Sequence, residues 1–289
     1  MIRSIVPDRP LDPTLLHILR ALDEEARAVG IDTMLIGATA RDILLTHVFG
    51  LPTGRATRDV DFAVGVESWP HFEHLKQRLS AKRGFTASET SAQRLYYHNG
   101  PGDHGYPLDL VPFGALATDA GTIAWPPDMA IVMSVVGYQD VFAASEQVQC
   151  APDLISRVAS LPGLAVLKLI AWSDRGAETQ KDAQDLYHLM AHYGDAGNGE
   201  RLYESEYAIL EAAGYDPDLA AACLLGRDVA RLVTHETRRM LCQIIDTRRD
   251  RLTLAMRSST RLLADAYERV GARLDQFRTG LSTDAEPHA

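Results

Sequence analysis

With 289 residues, 46% of them hydrophobic and 24% charged, the chain can build two domains with their own cores, and global disorder is excluded. A net charge of −10 excludes a surface that binds nucleic acid over its whole extent, but not a local basic groove. The longest apolar runs, near residues 129–136 and 164–172, are too short for a membrane span, and Lys168 interrupts the second.

In chain order, residues 13–29 place Leu15, Leu16, Leu19, Leu22, Ala26 and Val29 on one helical face, and Gly30 ends the pattern. Residues 33–36 read as an apolar strand that enters a turn at Gly37. A helix then opens at Ala38 and Thr39 and buries Ile43, Leu44, Leu45 and Val48. Residues 50–58 form a basic loop in which Arg55 and Arg58 could meet a polyphosphate. It leads into a strand whose Val60, Phe62 and Val64 face one way and whose Asp59 and Asp61 face the other.

A helix over 68–82 is capped by Ser68 and buries Phe72, Leu75 and Leu79. Strands follow at 85–88, 93–97 and 106–113. In the last of these Asp109 points away from Leu108 and Leu110, so it either pairs with an arginine or serves a site. Residues 121–150 should supply strand and short-helix material that completes the sheet, and 155–158 a last short strand.

Leu161, Pro162 and Gly163 mark the junction to a helical second domain. Its helices are expected at 164–174, 181–193, 201–213, 217–233, 235–245 and 251–277, with a disordered tail at the end. The domains are therefore 1–160, 161–280 and a tail over 281–289. From residue 223 to 278 the chain carries twelve arginines, seven acids and no lysine, a balance of +5 that leaves −15 elsewhere. Either this is a solvated arginine-rich surface, or the helical half meets a polyanionic acceptor.

Cys150, Cys223 and Cys242 form no C-x-x-C and read as reduced thiols of a cytoplasmic protein. The first thirteen residues, with Asp8, Asp12 and three prolines, are no signal peptide. His188 and His192 stand four apart on a helix without a third ligand, and they read, like His71 and His74, as core or surface histidines. Walker A, Rossmann and Gly-x-Ser-x-Gly signatures are absent.

The chemistry lies in Leu35-Ile36-Gly37-Ala38-Thr39-Ala40-Arg41-Asp42 and Thr57-Arg58-Asp59-Val60-Asp61-Phe62-Ala63-Val64. A strand, a small-residue turn and a helix start present free amides to an anion, usually a phosphate. Two aspartates two apart on a strand lie roughly 6–7 Å from each other and can reach one pair of divalent cations. With Asp109 as a third carboxylate, this suits transfer of a nucleotide from an NTP to a hydroxyl with two Mg²⁺ ions. The backbone at Gly37, Ala38 and Thr39 would hold phosphates, and Arg41 and Lys168 could complete the clamp.

The arrangement resembles the DNA polymerase β-type nucleotidyltransferase superfamily and, within it, the AbiEii-type nucleotidyltransferase toxins. Also carrying the resemblance are Leu108-Asp109-Leu110-Val111-Pro112-Phe113-Gly114, the run from Leu161 to Arg175, and Lys181-Asp182-Ala183-Gln184-Asp185-Leu186. The resemblance implies a mixed-sheet, polymerase β-like α/β catalytic domain followed by an all-helical one. It implies Lys168 on the nucleotide phosphates, and Asp182 and Asp185 on a cleft-facing helix. It also implies a toxin that moves nucleotides onto RNA, at the 3′ end of tRNA, under restraint by an antitoxin protein. Where related turns have Gly-Ser or Gly-Gly, this chain has Gly37-Ala38-Thr39, with Thr39 as the substitute hydroxyl.

Blander readings exist for the helical residues: Lys168 as a snorkelling lysine, Asp182 and Asp185 as partners of Arg175 or Lys181, and Trp172 as core. Two rival functions share the motifs. One is an antibiotic nucleotidyltransferase acting on aminoglycosides or lincosamides, and the other is a nucleotide-binding module without turnover.

Overall fold

The computed structural model describes residues 2–52, 57–82, 84–100, 102–257 and 266–282. The expectations for Arg55 and for the tail beyond residue 282 lie outside them. The chain divides into two units, Met1–Ser160 and Leu161–Ala289.

The first unit opens with β1 (Ile2–Ser4), a strand that the sequence pattern did not announce. Helix α1 (Pro13–Ala28) starts where the Asp12 carboxylate accepts the amides of Thr14 at 2.8 Å and Leu15 at 3.4 Å. Its buried stripe is Ile18, Leu19, Ala21, Leu22, Glu25 and Ala26, while Leu15, Leu16 and Val29 are half-buried. Glu25 is tolerated inside because Arg78 and Lys82 reach it at 2.7 and 2.8 Å.

Strand β2 (Asp32–Ile36) runs directly into α2 (Gly37–Asp42), which continues as a π-helical turn over Ile43–Val48. The Phe49 amide reaches the Leu44 carbonyl five residues back, at 2.9 Å. This wider turn lets the consecutive residues Ile43, Leu44, Leu45 and Thr46 all be buried, and leaves Val48 half-exposed instead of inside. Next come β3 (Val60–Gly65) and α3 (Trp69–Ala81), with Ser68 accepting the His71 amide and Phe72, Leu75 and Leu79 buried. Strands β4 (Phe85–Ala87), β5 (Arg94–Tyr97) and β6 (Tyr106–Phe113) follow.

Residues 121–150 depart from expectation. They do not all complete the main sheet: β7 (Thr122–Ala124) and β8 (Val132–Ser134) pair only with each other. Ile131 and Val132 stay exposed there, while Ile123 is buried and Trp125, just after β7, packs on Trp69 and Phe72 of α3, so the pair is held by helix packing and not by the sheet. Helix α4 (Tyr138–Ala143) then leads to β9 (Glu146–Ala151) and β10 (Leu154–Val158), which do join it.

The main sheet has the order β1-β9-β10-β2-β3-β6-β5-β4. It is mixed: β3 pairs parallel with β6 and antiparallel with β2, and β5 pairs antiparallel with β6. Val60, Phe62, Val64, Leu108 and Leu110 are all buried, so one face of its centre is core.

The second unit is helical: α5 (Leu161–Arg175), α6 (Lys181–His192), α7 (Gly199–Tyr203), α8 (Tyr207–Ala212), α9 (Pro217–Leu232), α10 (His235–Arg257) and α11 (Ala266–Ser282). Two expectations are corrected. The helix expected over 201–213 is broken between α7 and α8, where buried Glu206 gathers Arg201, Arg227 and Arg231. The helices expected at 235–245 and from 251 run as one, with only Arg248 (φ −132, ψ 20) off the helical conformation. Helices α9 and α11 approach so closely that a Cβ at Gly226 would collide with the Phe277 carbonyl, and one at Gly280 with that of Cys223. No described helix is long and apolar enough to cross a membrane.

Candidate active site

Strand register assembles the site. Ile36 on β2 pairs with Asp61 on β3, Asp61 with Asp109 on β6, and Asp109 with Arg94 on β5. Directly paired residues project from the same face, so Asp61, Asp109 and Arg94 stand in a row across three neighbouring strands, about 4.8 Å from strand to strand. Asp61 and Asp109 are half-buried. Their positions follow from the period-2 alternation that sends their Leu, Val and Phe neighbours to the other face.

At the end of that row β2 turns into α2. Gly37 has φ +72, and a Cβ built on it would fall inside the Asp61 carboxylate. Glycine is required there twice over, by backbone conformation and by space. The Asp61 carboxylate thus lies against the backbone of the turn whose first helical amides have no intrahelical partner. The buried Thr39 hydroxyl donates to the Asp59 carbonyl at 2.7 Å and ties the turn to the segment entering β3. Asp59 itself precedes β3, so its face is not set by the ladder.

Arg94 is the residue that pattern reading missed. Its Nε and a terminal nitrogen donate to the two Asp109 oxygens at 2.7 and 2.6 Å, a bidentate pair with side chains 29% and 14% exposed. The signal was available: Arg94-Leu95-Tyr96-Tyr97 puts Arg94 opposite buried Leu95, on the face an antiparallel neighbour shares with Asp109. Of the two outcomes open for Asp109, pairing with an arginine is the one present.

Ala38 is buried within α2. Arg41 is only 2% exposed and donates to Asp42 at 2.7 and 2.9 Å, so its charge is bound inside the first unit. Arg58 is exposed, with its guanidinium 5.8 Å from the centre of the Tyr106 ring at the start of β6.

In the second unit Lys168 lies 3.1 Å from Asp182 and 2.7 Å from Asp185, and Arg175 lies 2.7 Å from Asp182. Both aspartates are buried on one face of α6. Burial would raise the Asp182 carboxyl, but the Arg175 hydrogen bond and the Lys168 charge outweigh it and hold it below its ordinary value. Trp172 is core, as the blander reading had it. His71 bonds the Val29 carbonyl at 3.0 Å.

Among the described residues no group of three or more His, Cys, Asp or Glu side chains is placed to hold a metal ion. Mg²⁺, however, commonly takes only one or two carboxylates and completes its shell with water and substrate phosphates. The adjacent hard-oxygen pair Asp61 and Asp109, beside an amide-lined turn, fits that requirement.

A mixed sheet carrying paired aspartates beside a glycine turn, followed by a helical region, is the α/β nucleotidyltransferase fold. The profile of the AbiEii family, described as nucleotidyl transferase AbiEii toxin, type IV TA system, matches residues 20–269, and the chain belongs to that family. Among solved structures, the antibiotic-resistance factor ANT(2'')-Ia matches at 17% identity and a TM-score of 0.39, over 70% of this chain and 97% of that one. An antigenic nucleotidyltransferase-like protein from Paracoccidioides brasiliensis matches at 14% identity and a TM-score of 0.42, over 71% and 94%. No curated protein matches the chain in sequence.

Proposed function

We propose that the chain is a Mg²⁺-dependent enzyme that moves a nucleoside monophosphate from an NTP to a hydroxyl of RNA, at the 3′ end of tRNA, and that an antitoxin protein restrains it in the cell. The observation that carries this reading is the pairing of Asp61 with Asp109 in register on adjacent parallel strands, against the Gly37 turn.

In nucleotidyl transfer the acceptor oxygen attacks the α-phosphorus while the pyrophosphate departs in line, so positioning and charge neutralisation supply most of the rate. Asp61 and Asp109 would hold Mg²⁺, with Asp59 entering the same site from the segment before β3. Bound Mg²⁺ would lower the pKa of the acceptor hydroxyl and neutralise the phosphate charge. The helix-start amides at Gly37, Ala38 and Thr39 would orient the β- and γ-phosphates, and the exposed Arg58 would add charge. The Thr39 hydroxyl, engaged by the Asp59 carbonyl, holds the turn in shape. Lys168, Asp182 and Asp185 enter this reading through the family resemblance, and their mutual ion pairs give Lys168 a structural duty as well.

The test uses purified protein with each labelled NTP, Mg²⁺ and total RNA, beside Asp61→Ala. Label in the tRNA band with wild type only supports the proposal. Label absent from RNA but present on an aminoglycoside or lincosamide would transfer the reading to the antibiotic-modifying class.

A further inference from the structure

Asp61 and Asp109 are two carboxylates on neighbouring strands, half-buried and side by side, with like charges that repel each other in a medium of reduced dielectric. The fold answers this with a third register partner, since Arg94 closes both Asp109 oxygens in a bidentate grip. Both Asp109 oxygens that a divalent cation would draw on therefore already accept from a cation of the protein's own.

We propose that Arg94 is a positioning residue that guards the cation site: it neutralises Asp109 in the cation-free protein and has to let go of it when a divalent cation binds. The inference rests on the reading that Asp61 and Asp109 form that site. Two arguments give the direction of the effect. Replacing Arg94 removes a competitor for the Asp109 oxygens, and it also takes away the positive charge that faces Asp109. Both favour tighter binding of an external cation. A cation bound merely near the ion pair would also gain from the lost charge in Arg94→Gln, but not in Arg94→Lys, which keeps the charge and gives up only the bidentate fork. Once released, the planar guanidinium remains beside a site that would receive phosphates, where its geometry suits bidentate contact.

The experiment titrates the full chain with Mn²⁺ in place of Mg²⁺ and reads free Mn²⁺ by electron paramagnetic resonance, for wild type, Arg94→Gln, Arg94→Lys and Asp61→Asn. The expected result is about tenfold tighter binding in Arg94→Gln and an intermediate gain in Arg94→Lys, which keeps the charge but loses the fork. Asp61→Asn should bind more weakly than wild type. Binding in Arg94→Lys that is equal to or weaker than wild type, with Asp61→Asn still weakened, overturns the guard and leaves the cation site standing. Asp61→Asn binding as wild type does overturns the site and the guard together. Should Arg94→Gln fail to fold, as judged by circular dichroism, Arg94→Lys decides alone, because any retained grip there is monodentate.

Discussion

At the scale of single residues, Gly37 is the most constrained position in the candidate site. Its φ of +72 is strained for any side chain, and the space a Cβ would occupy is filled by the Asp61 carboxylate. Gly37→Ala is expected to lower stability by about 1–3 kcal/mol and to displace Asp61. Denaturant melts and cation titration on one sample check both effects. Thr39→Val should be milder, because it removes a single hydroxyl bond to the Asp59 carbonyl at about 1 kcal/mol while keeping the shape. If turnover falls while the melt barely moves, the hydroxyl is a site residue; if both move together, it only fastens the turn. Asp109 shows how far local reading reaches. Its isolation among leucines demanded a partner, and only the β5–β6 register identified Arg94.

Secondary elements carry a second set of constraints, and those of the helical unit centre on α5 and α6. Lys168 lies between two buried carboxylates of α6, and Arg175 shares Asp182 from the end of α5. Removing Lys168 takes the cation from between two buried carboxylates, so Lys168→Ala should destabilise the chain by about 3–5 kcal/mol. Loss of activity in that variant is informative only beside a melting curve. Asp182 has its pKa lowered in the folded state, so its contribution is complete above the unfolded value and is lost as pH falls through the folded one. The melting temperature of the wild type should therefore drop on acidification below the ordinary carboxylate range. Asp182→Asn should start lower at neutral pH and show a shallower acid limb. The α9–α11 contact makes an independent case: Gly226→Ala forces a methyl against the Phe277 carbonyl and is expected to cost about 1–3 kcal/mol.

For the whole molecule, charge distribution decides what the acceptor reading requires. The arginine-rich stretch that suggested a polyanion is largely engaged within its own unit. Arg227 and Arg231 hold Glu206, Arg249 holds Asp275, Arg278 holds Asp246 and Arg273 holds Asp218. Arg248 donates to the Ser173 carbonyl at 2.8 Å. A phosphate backbone would have to compete with these pairs. Twelve freely contacting arginines would give a salt dependence of log K with a slope of about −11, whereas with these six engaged the magnitude falls to about 5 or less. Filter binding of tRNA across a salt series measures it, and a steep slope would mean that the pairs open on contact.

Much of this protein could be read before any coordinates. Apolar periodicity located α1, α3, α6 and α9, an apolar run located β2, and alternation located β3 and β6, because burial of a face depends on spacing along the chain alone. The outward faces of Asp61 and Asp109 and the glycine turn were legible for the same reason, since strand parity and a glycine at a strand-to-helix turn are local properties, whereas the meeting of the two aspartates needed the β3–β6 register. Tertiary structure alone decided the rest. Arg94 met Asp109 through the register in which β5 pairs with β6, and β7 and β8 stayed apart from the sheet they were expected to join. Lys168 found Asp182 and Asp185 only once two helices had packed. Pairing across the sheet and ion pairing between helices depend on distances between residues far apart in sequence, and no local pattern encodes them.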